Sequence, residues 1–262
     1  MNSRLGSLIR LAVALPVASC LPAAALSGGP QALAQSPRPP VVRDFAGELA
    51  CGASAAAAPP TAAIRIAPGR EHGKALFGPG DPIIVLAGTA QGIRAGQEYF
   101  VRRVIADRFT QTRSDGMPTL SIHTAGWVMI VETSTDAAIA TVTRACDAMQ
   151  EGDYLEPFVL PSLPSPRAAG EPDYAHPGHV ILGDDRRQMG VPGDLMVFDR
   201  GSDHGLHVGQ GLTIFRTTAG GTGPVARIGE AVALIVSPET AVIRIEKTTD
   251  SIYVGDLVAI HR

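Results

Sequence analysis

Short apolar, β-branched runs bounded by turn residues recur along this chain, AIATVTRA and AVIRIEKT among them alternating with period two, and the pattern is written twice. In the first copy the runs are PIIVLAG (82–88), EYFVRR (98–103), WVMIVET (127–133) and AIATVTRA (138–145). In the second they are LMVFDRG (195–201), GLTIFR (211–216), EAVALIV (230–236) and AVIRIEKT (241–248). Period-two runs rich in β-branched residues, bounded by Gly, Pro and Asp, predict strands with one buried and one solvated face. AAIRI (62–66) and HVILG (179–183) open the copies as initial strands, and MQEGDYLEPF (149–158) and IYVGDLVAIH (252–261) close them on a Gly-Asp turn and a last strand. Five or six strands per copy are expected. No sustained helical period appears beyond the N-terminal leader. The predicted fold class is all-β: two tandem small β-barrel or sandwich repeats after a signal peptide and a flexible arm.

The repeat is ungapped over long stretches. At an offset of 113, Gly80, Asp81, Gly88, Gly92, Gly96, Gln97 and Arg103 fall on Gly193, Asp194, Gly201, Gly205, Gly209, Gln210 and Arg216. At an offset of 103, Gly126, Ser134, Ala138, Asp147, Gly152 and Asp153 fall on Gly229, Ser237, Ala241, Asp250, Gly255 and Asp256. The difference of ten residues lies in one connection, 104–125 against 217–228, as expected of a surface loop. Residues 62–158 therefore form repeat 1 and 178–262 repeat 2. Residues 159–177, rich in Pro, read as a semi-stiff linker, and residues 35–61, rich in Pro, Ala and Ser, as a flexible arm.

Composition narrows the function classes. Of 262 residues, 45% are hydrophobic and 18% charged, which suits packed domains, and the net charge of −3 gives no basic excess for nucleic acid. Gly (29) and Pro (21) are abundant and aromatics scarce, in keeping with a turn-rich β protein. Arg4 and Arg10 precede the apolar run LAVALPVAS, which reads as a secretory signal over 1–34. Two processing sites compete: cleavage after Ala34, or a lipobox ending Val17-Ala18-Ser19-Cys20, in which Cys20 would be lipidated. Membrane contact is expected only through that leader or lipid anchor. Cys51 and Cys146 then remain as an even pair in an oxidising compartment, a candidate disulfide.

Strand, Gly-hydrophobic-x-x-Gly-Gln, strand ending in Arg, variable hairpin and closing Gly-Asp-hydrophobic resemble the C-terminal β-barrel module of flagellar assembly protein T. A similar module accompanies LysM peptidoglycan-binding domains in exported bacterial proteins. The likeness covers about 79–158 and 192–261. It implies a bacterial envelope setting, with an envelope protein or peptidoglycan as partner, and carries no catalytic signature. No LysM segment is present, and a flagellar role does not follow.

The chemistry-bearing residues offer little else. Asp203, His204 and His207 in SDHGLHVG have metal-ligand types, but the two histidines align with Gln91 and Arg94 in the first copy, so an exposed turn is expected and no metal or cofactor. Asp81, Asp153, Asp194 and Asp256 each follow glycine and are candidate turn caps; acid–base catalysis would need two of them in one cleft. Trp127 with Tyr99 and Phe100 could form a sugar platform, though their strand positions favour core packing. The expected function is an exported, non-catalytic envelope-binding or assembly module. A lipid-anchored spacer and a glycan-acting enzyme with unidentified carboxylates are the other classes. The insert 104–125 is the candidate contact surface.

Overall fold

A computed structural model describes residues 44–52, 54–56, 60, 64–68, 75–105, 113, 116, 119–165, 167, 170–184, 187–217 and 223–262. The leader, with Cys20 and both processing sites, lies outside the described residues. A short helix α1 (Phe45–Cys51) and strand β1 (Ser54–Ala56) come first. Repeat 1 then contributes β2 (Ile64–Arg65), β3 (Leu76–Phe77), β4 (Pro82–Val85), β5 (Glu98–Ile105), β6 (Leu120–Thr133), β7 (Ala138–Ala145), β8 (Met149–Gln150) and β9 (Tyr154–Pro157). Repeat 2 contributes β10 (Gly178–Gly183), β11 (Met189–Gly190), β12 (Leu195–Phe198), β13 (Gly211–Thr217), β14 (Val225–Val236), β15 (Ala241–Thr248), β16 (Ile252–Tyr253) and β17 (Leu257–Ile260).

The fold is all-β, with barrel-like modules. Repeat 2 is a closed six-stranded barrel, β10-β12-β15-β14-β13-β17. Repeat 1 has the same order as a sheet, β2-β9-β5-β6-β7-β4, whose ends meet at the bridge Ile66–Val85. Inward positions fill each core: Ile83, Val85, Val101, Val128, Ile130, Ala140 and Val142 in the first, Met196, Phe198, Leu212, Ile214, Ala233, Ile243 and Ile245 in the second. Each copy has two strands more than expected. They are the two-residue pairings β3–β8 and β11–β16 beside the barrels, too short for periodicity to reveal.

The repeat extends to single hydrogen bonds. Gly80 N–H donates to the Val142 carbonyl and Gly193 N–H to Ile245, both at 2.8 Å. Gly96 N–H donates to Ile130 and Gly209 N–H to Ala233, again both at 2.8 Å. Gly88 and Gly201 precede matching 3₁₀ turns, Thr89–Gln91 and Ser202–His204. A Cβ at Gly88 would collide with the Ser134 carbonyl oxygen and one at Gly201 with that of Ser237, so only glycine fits. Gly92 (φ 83) and Gly205 (φ 78) end those turns in the left-handed region.

Two segments correct the sequence expectation. Within the supposed arm 35–61, α1 and β1 are ordered elements. Asp44 caps α1 by accepting the Gly47 N–H at 3.1 Å, and its carboxylate also pairs with Arg144. Seven residues cannot hold a helix alone in water, so its neighbours hold it. Leu49 is buried with Leu234 and Val242 of the second barrel, while Ala50 is buried with Phe100 and Trp127 of the first. Cys51 is disulfide-bonded to Cys146, across a sequence separation of 95. β1 pairs with β6, and its Ala55 packs on Ile181, Leu182 and Val197 of the second barrel.

Residues of the Pro-rich linker 159–177 also contact the second repeat. Glu171 and Arg262 exchange backbone hydrogen bonds at 3.0 and 2.9 Å, Pro172 bridges His261, and the Tyr174 ring stands edge-on to Phe215 at 5.0 Å. Both repeats fall within one compact unit, Arg43–Arg262. Composition concealed this, because Pro- and Ala-rich stretches read as linkers whether or not a neighbouring surface receives them.

The disulfide constrains the unfolded chain over a long loop. Breaking it with Cys51→Ser and Cys146→Ser together should lower stability by about 2–4 kcal/mol while leaving strand content unchanged. Urea unfolding followed by circular dichroism measures both.

Candidate functional site

The four aspartates after glycine all accept backbone N–H groups three residues earlier. Asp81 accepts from Gly78 (2.8 Å), Asp153 from Gln150 (3.0 Å), Asp194 from Val191 (3.0 Å) and Asp256 from Tyr253 (2.7 Å). Asp153 and Asp256 do more. Arg103 grips Asp153 with Nε and Nη2, both at 2.9 Å, and its Nη2 also donates to the Ala148 carbonyl at 2.6 Å. Arg216 grips Asp256 at 2.7 and 2.8 Å and donates to the Ser251 carbonyl at 2.7 Å. The bidentate fork thus ties the end of β5 to the β8–β9 turn, and of β13 to the β16–β17 turn. These two carboxylates are buried and ion-paired in separate barrels, an arrangement that holds turns and cannot form a catalytic dyad.

His204 is built into its turn. Its Nδ1 accepts the Gly201 N–H at 3.2 Å, the bond that Gln91 Oε1 makes to Gly88 N–H at 2.8 Å in the first repeat. Burial holds the imidazole below its ordinary pKa, assisted by the nearby Arg200 and Arg113 charges and opposed by Asp199 and Asp203. His207 is exposed; its backbone N–H donates to Gln210 Oε1 and its carbonyl accepts the Gln210 N–H. Among the described residues, no three His, Cys, Asp or Glu are grouped to hold a metal ion. Phe100 and Trp127 stack with Phe158 beneath the disulfide, so they form a packed aromatic cluster and not an open platform.

Sequence reasoning missed two surfaces. The first is a cleft of about 410 Å³ between the barrels, lined by β1, Arg102, Tyr154 and Glu156 on one side and Ser237 and Thr240 on the other. Arg102 pairs with Glu156 at 2.9 Å and lies over the Phe100 ring at 4.9 Å. Burial, reinforced by the Glu156 charge, pushes the Tyr154 phenol up to about 12. It stays protonated at neutral pH and so can donate a hydrogen bond at the cleft.

The second surface is apolar. On the outside of the first barrel Ile84, Leu86, Met129, Val131 and Ile139 are exposed by 47, 57, 38, 44 and 39%. Ile84 and Ile139 face each other across the β4–β7 ladder, and Met129 and Val131 lie beside them on β6. Arg65 lies opposite Leu86 and Glu98 opposite Met129 at the edges of this patch, and two further carboxylates border it, Glu132 opposite Ile139 and Asp136 in the β6–β7 hairpin. Neither makes an ion pair among the described residues.

The insert 104–125 is mostly outside the described residues between 106 and 118. Arg113 is described: it is buried and its Nη1 pairs with Glu239 Oε2 at 2.5 Å, joining the first repeat's insert to the β14–β15 hairpin of the second. That part of the expected contact surface is therefore engaged within the chain. No helix among the described residues is long and apolar enough to cross a membrane.

No protein-family model matches this chain, and no curated protein matches it significantly.

Two measurements follow from the turns. Asp153→Ala strands a half-buried arginine fork and leaves the Gln150 N–H without its acceptor, and should cost about 3 kcal/mol, whereas Asp194→Ala, at a more exposed turn, should cost about 1 kcal/mol. Denaturant midpoints at fixed slope give the comparison. The second concerns His204, whose folded pKa is depressed. Between that value and the unfolded value near 6.5 the unfolded chain binds the extra proton, so stability is full above about pH 6.5 and falls as pH drops through the folded pKa. His261, also depressed, by burial, contributes in the same direction. His204→Gln, which copies Gln91, should keep the cap and shrink the stability loss between about pH 7 and 5. Thermal melts across that range check it.

Proposed function

We propose that the protein is an exported, non-catalytic binding and assembly module of the bacterial cell envelope, with an envelope protein or peptidoglycan as its partner. The observation that carries this reading is the contiguous exposed apolar face on the first barrel, of the kind that marks interaction sites on folded domains. The leader at 1–34 supports export, and a Cys51–Cys146 disulfide suits an oxidising compartment. Two barrels braced by one helix make a stiff platform that can present such a face at a defined orientation.

Expressing the full chain in a bacterial host, fractionating it and incubating the product with purified peptidoglycan tests the reading. The expected result is a leader-processed protein in the periplasmic or envelope fraction that binds envelope material without degrading it. An unprocessed cytoplasmic protein, or soluble sugar fragments released from the peptidoglycan, would overturn it. Palmitate labelling of Cys20 in the same cells reports whether the leader ends in a lipid anchor.

A further inference from the structure

We infer that the apolar face of the first barrel receives a short amphipathic helix from a partner protein, with an aromatic residue and a leucine one turn apart and arginines beside them. The inference rests on the binding-module reading above and supplies the chemistry of the partner.

The repeat itself provides the template. Ile84 corresponds to Val197 at offset 113, and Met129, Val131 and Ile139 correspond to Val232, Leu234 and Val242 at offset 103. In the second barrel that face is occupied. Leu49 of α1 is buried among Leu234 and Val242, Phe45 packs on the same cluster, and Ala55 covers Val197. Val197, Leu234 and Val242 are consequently 1, 4 and 6% exposed, while their first-barrel counterparts are 39–47% exposed. A second anchor accompanies the helix. Arg113 pairs with Glu239, and the repeat counterpart of Glu239 is Asp136. The first barrel has kept both halves of the receptor, the apolar floor and the acidic rim.

The differences define the occupant. Arg244, which lies over the Phe45 ring at 4.7 Å, is replaced by Thr141, and Ile235 by Glu132. At these positions the first barrel lacks the cation that stacks on Phe45 in the second and has one carboxylate more. A segment for this face needs positive charge toward Glu132 and Asp136. The segment that covers the equivalent Leu234 and Val242 in the second barrel is the helix α1, which satisfies its own backbone hydrogen bonds, so the occupant is taken as helical. The chain's own α1 cannot supply it: Leu49 and Ala50 are both buried and Cys51 is bonded to Cys146.

The probe is a synthetic helix-forming peptide with Phe and Leu four residues apart and two arginines in its last turn. Binding to the processed chain is read by fluorescence anisotropy, with the Phe→Ala, Leu→Ala peptide as control. Saturable binding is expected. It should weaken about ten-fold or more in Ile139→Glu and several-fold in Asp136→Lys, and fall with added salt in the parent only. Both substitutions are on the surface, and unchanged melting temperatures establish that each variant folds. No saturable binding, or equal binding by Ile139→Glu, overturns the proposal. Self-association of the chain by sedimentation, abolished by Ile139→Glu, assigns the face to a second copy and also overturns it. Binding that appears only after removal of residues 35–43 assigns it to the chain's own N-terminal segment, with the same consequence. Peptide binding lost while export and envelope binding persist overturns this inference alone. Peptide binding intact in a cytoplasmic protein overturns the envelope reading alone.

Discussion

Everything in this molecule depends on a seven-residue helix with two greasy sides. Leu49 and Ala50 are adjacent in sequence, so they point about 100° apart on α1, and each is claimed by a different barrel. The helix is too short to exist alone. It is stabilised by burial on both sides, by the Asp44 cap and by the bond from Cys51 to Cys146. Two barrels that share a topology could have been beads on a string. The wedge between them makes them one unit, and it also shields on one barrel an apolar face that the other leaves in water.

The same logic explains the polar residues. Turns need their backbone donors satisfied, and a Gly-Asp pair does this compactly: glycine takes the left-handed conformation and aspartate accepts the N–H three residues back. Once a buried aspartate is in place, an arginine from the neighbouring strand offsets its charge. The Arg103–Asp153 and Arg216–Asp256 forks are therefore structural consequences of closing a small barrel. Carboxylates used in this way are tied up by their arginines and by backbone N–H groups, and are poorly suited to chemistry.

How much of this could be read from the chain divides along physical lines. The repeat and its strands were legible because glycine, aspartate and glutamine at turns are demanded locally, by φ or by a cap, and leave a fixed spacing. The Arg partners were not, since Arg103 and Arg216 look like ordinary strand ends until the turn folds back on them. The helix was hidden because FAGELAC is short and sits in Ala- and Pro-rich sequence. The docking faces were hidden for a different reason. Period-two alternation marks which residues point outward, but Val197, Leu234 and Val242 alternate just as Ile84, Val131 and Ile139 do. Only the positions of α1 and β1 separate the covered set from the open one.

The order in which the chain is made gives the wedge a further meaning. Synthesis proceeds from the N-terminus, so α1 and Cys51 emerge well before Cys146, and the strands that bury Leu49 come later still. Until Cys146 is made Cys51 is a free thiol, and until β14 and β15 exist the helix has only half its binding site. The first barrel can close early, but the helix can settle only when the second is nearly complete.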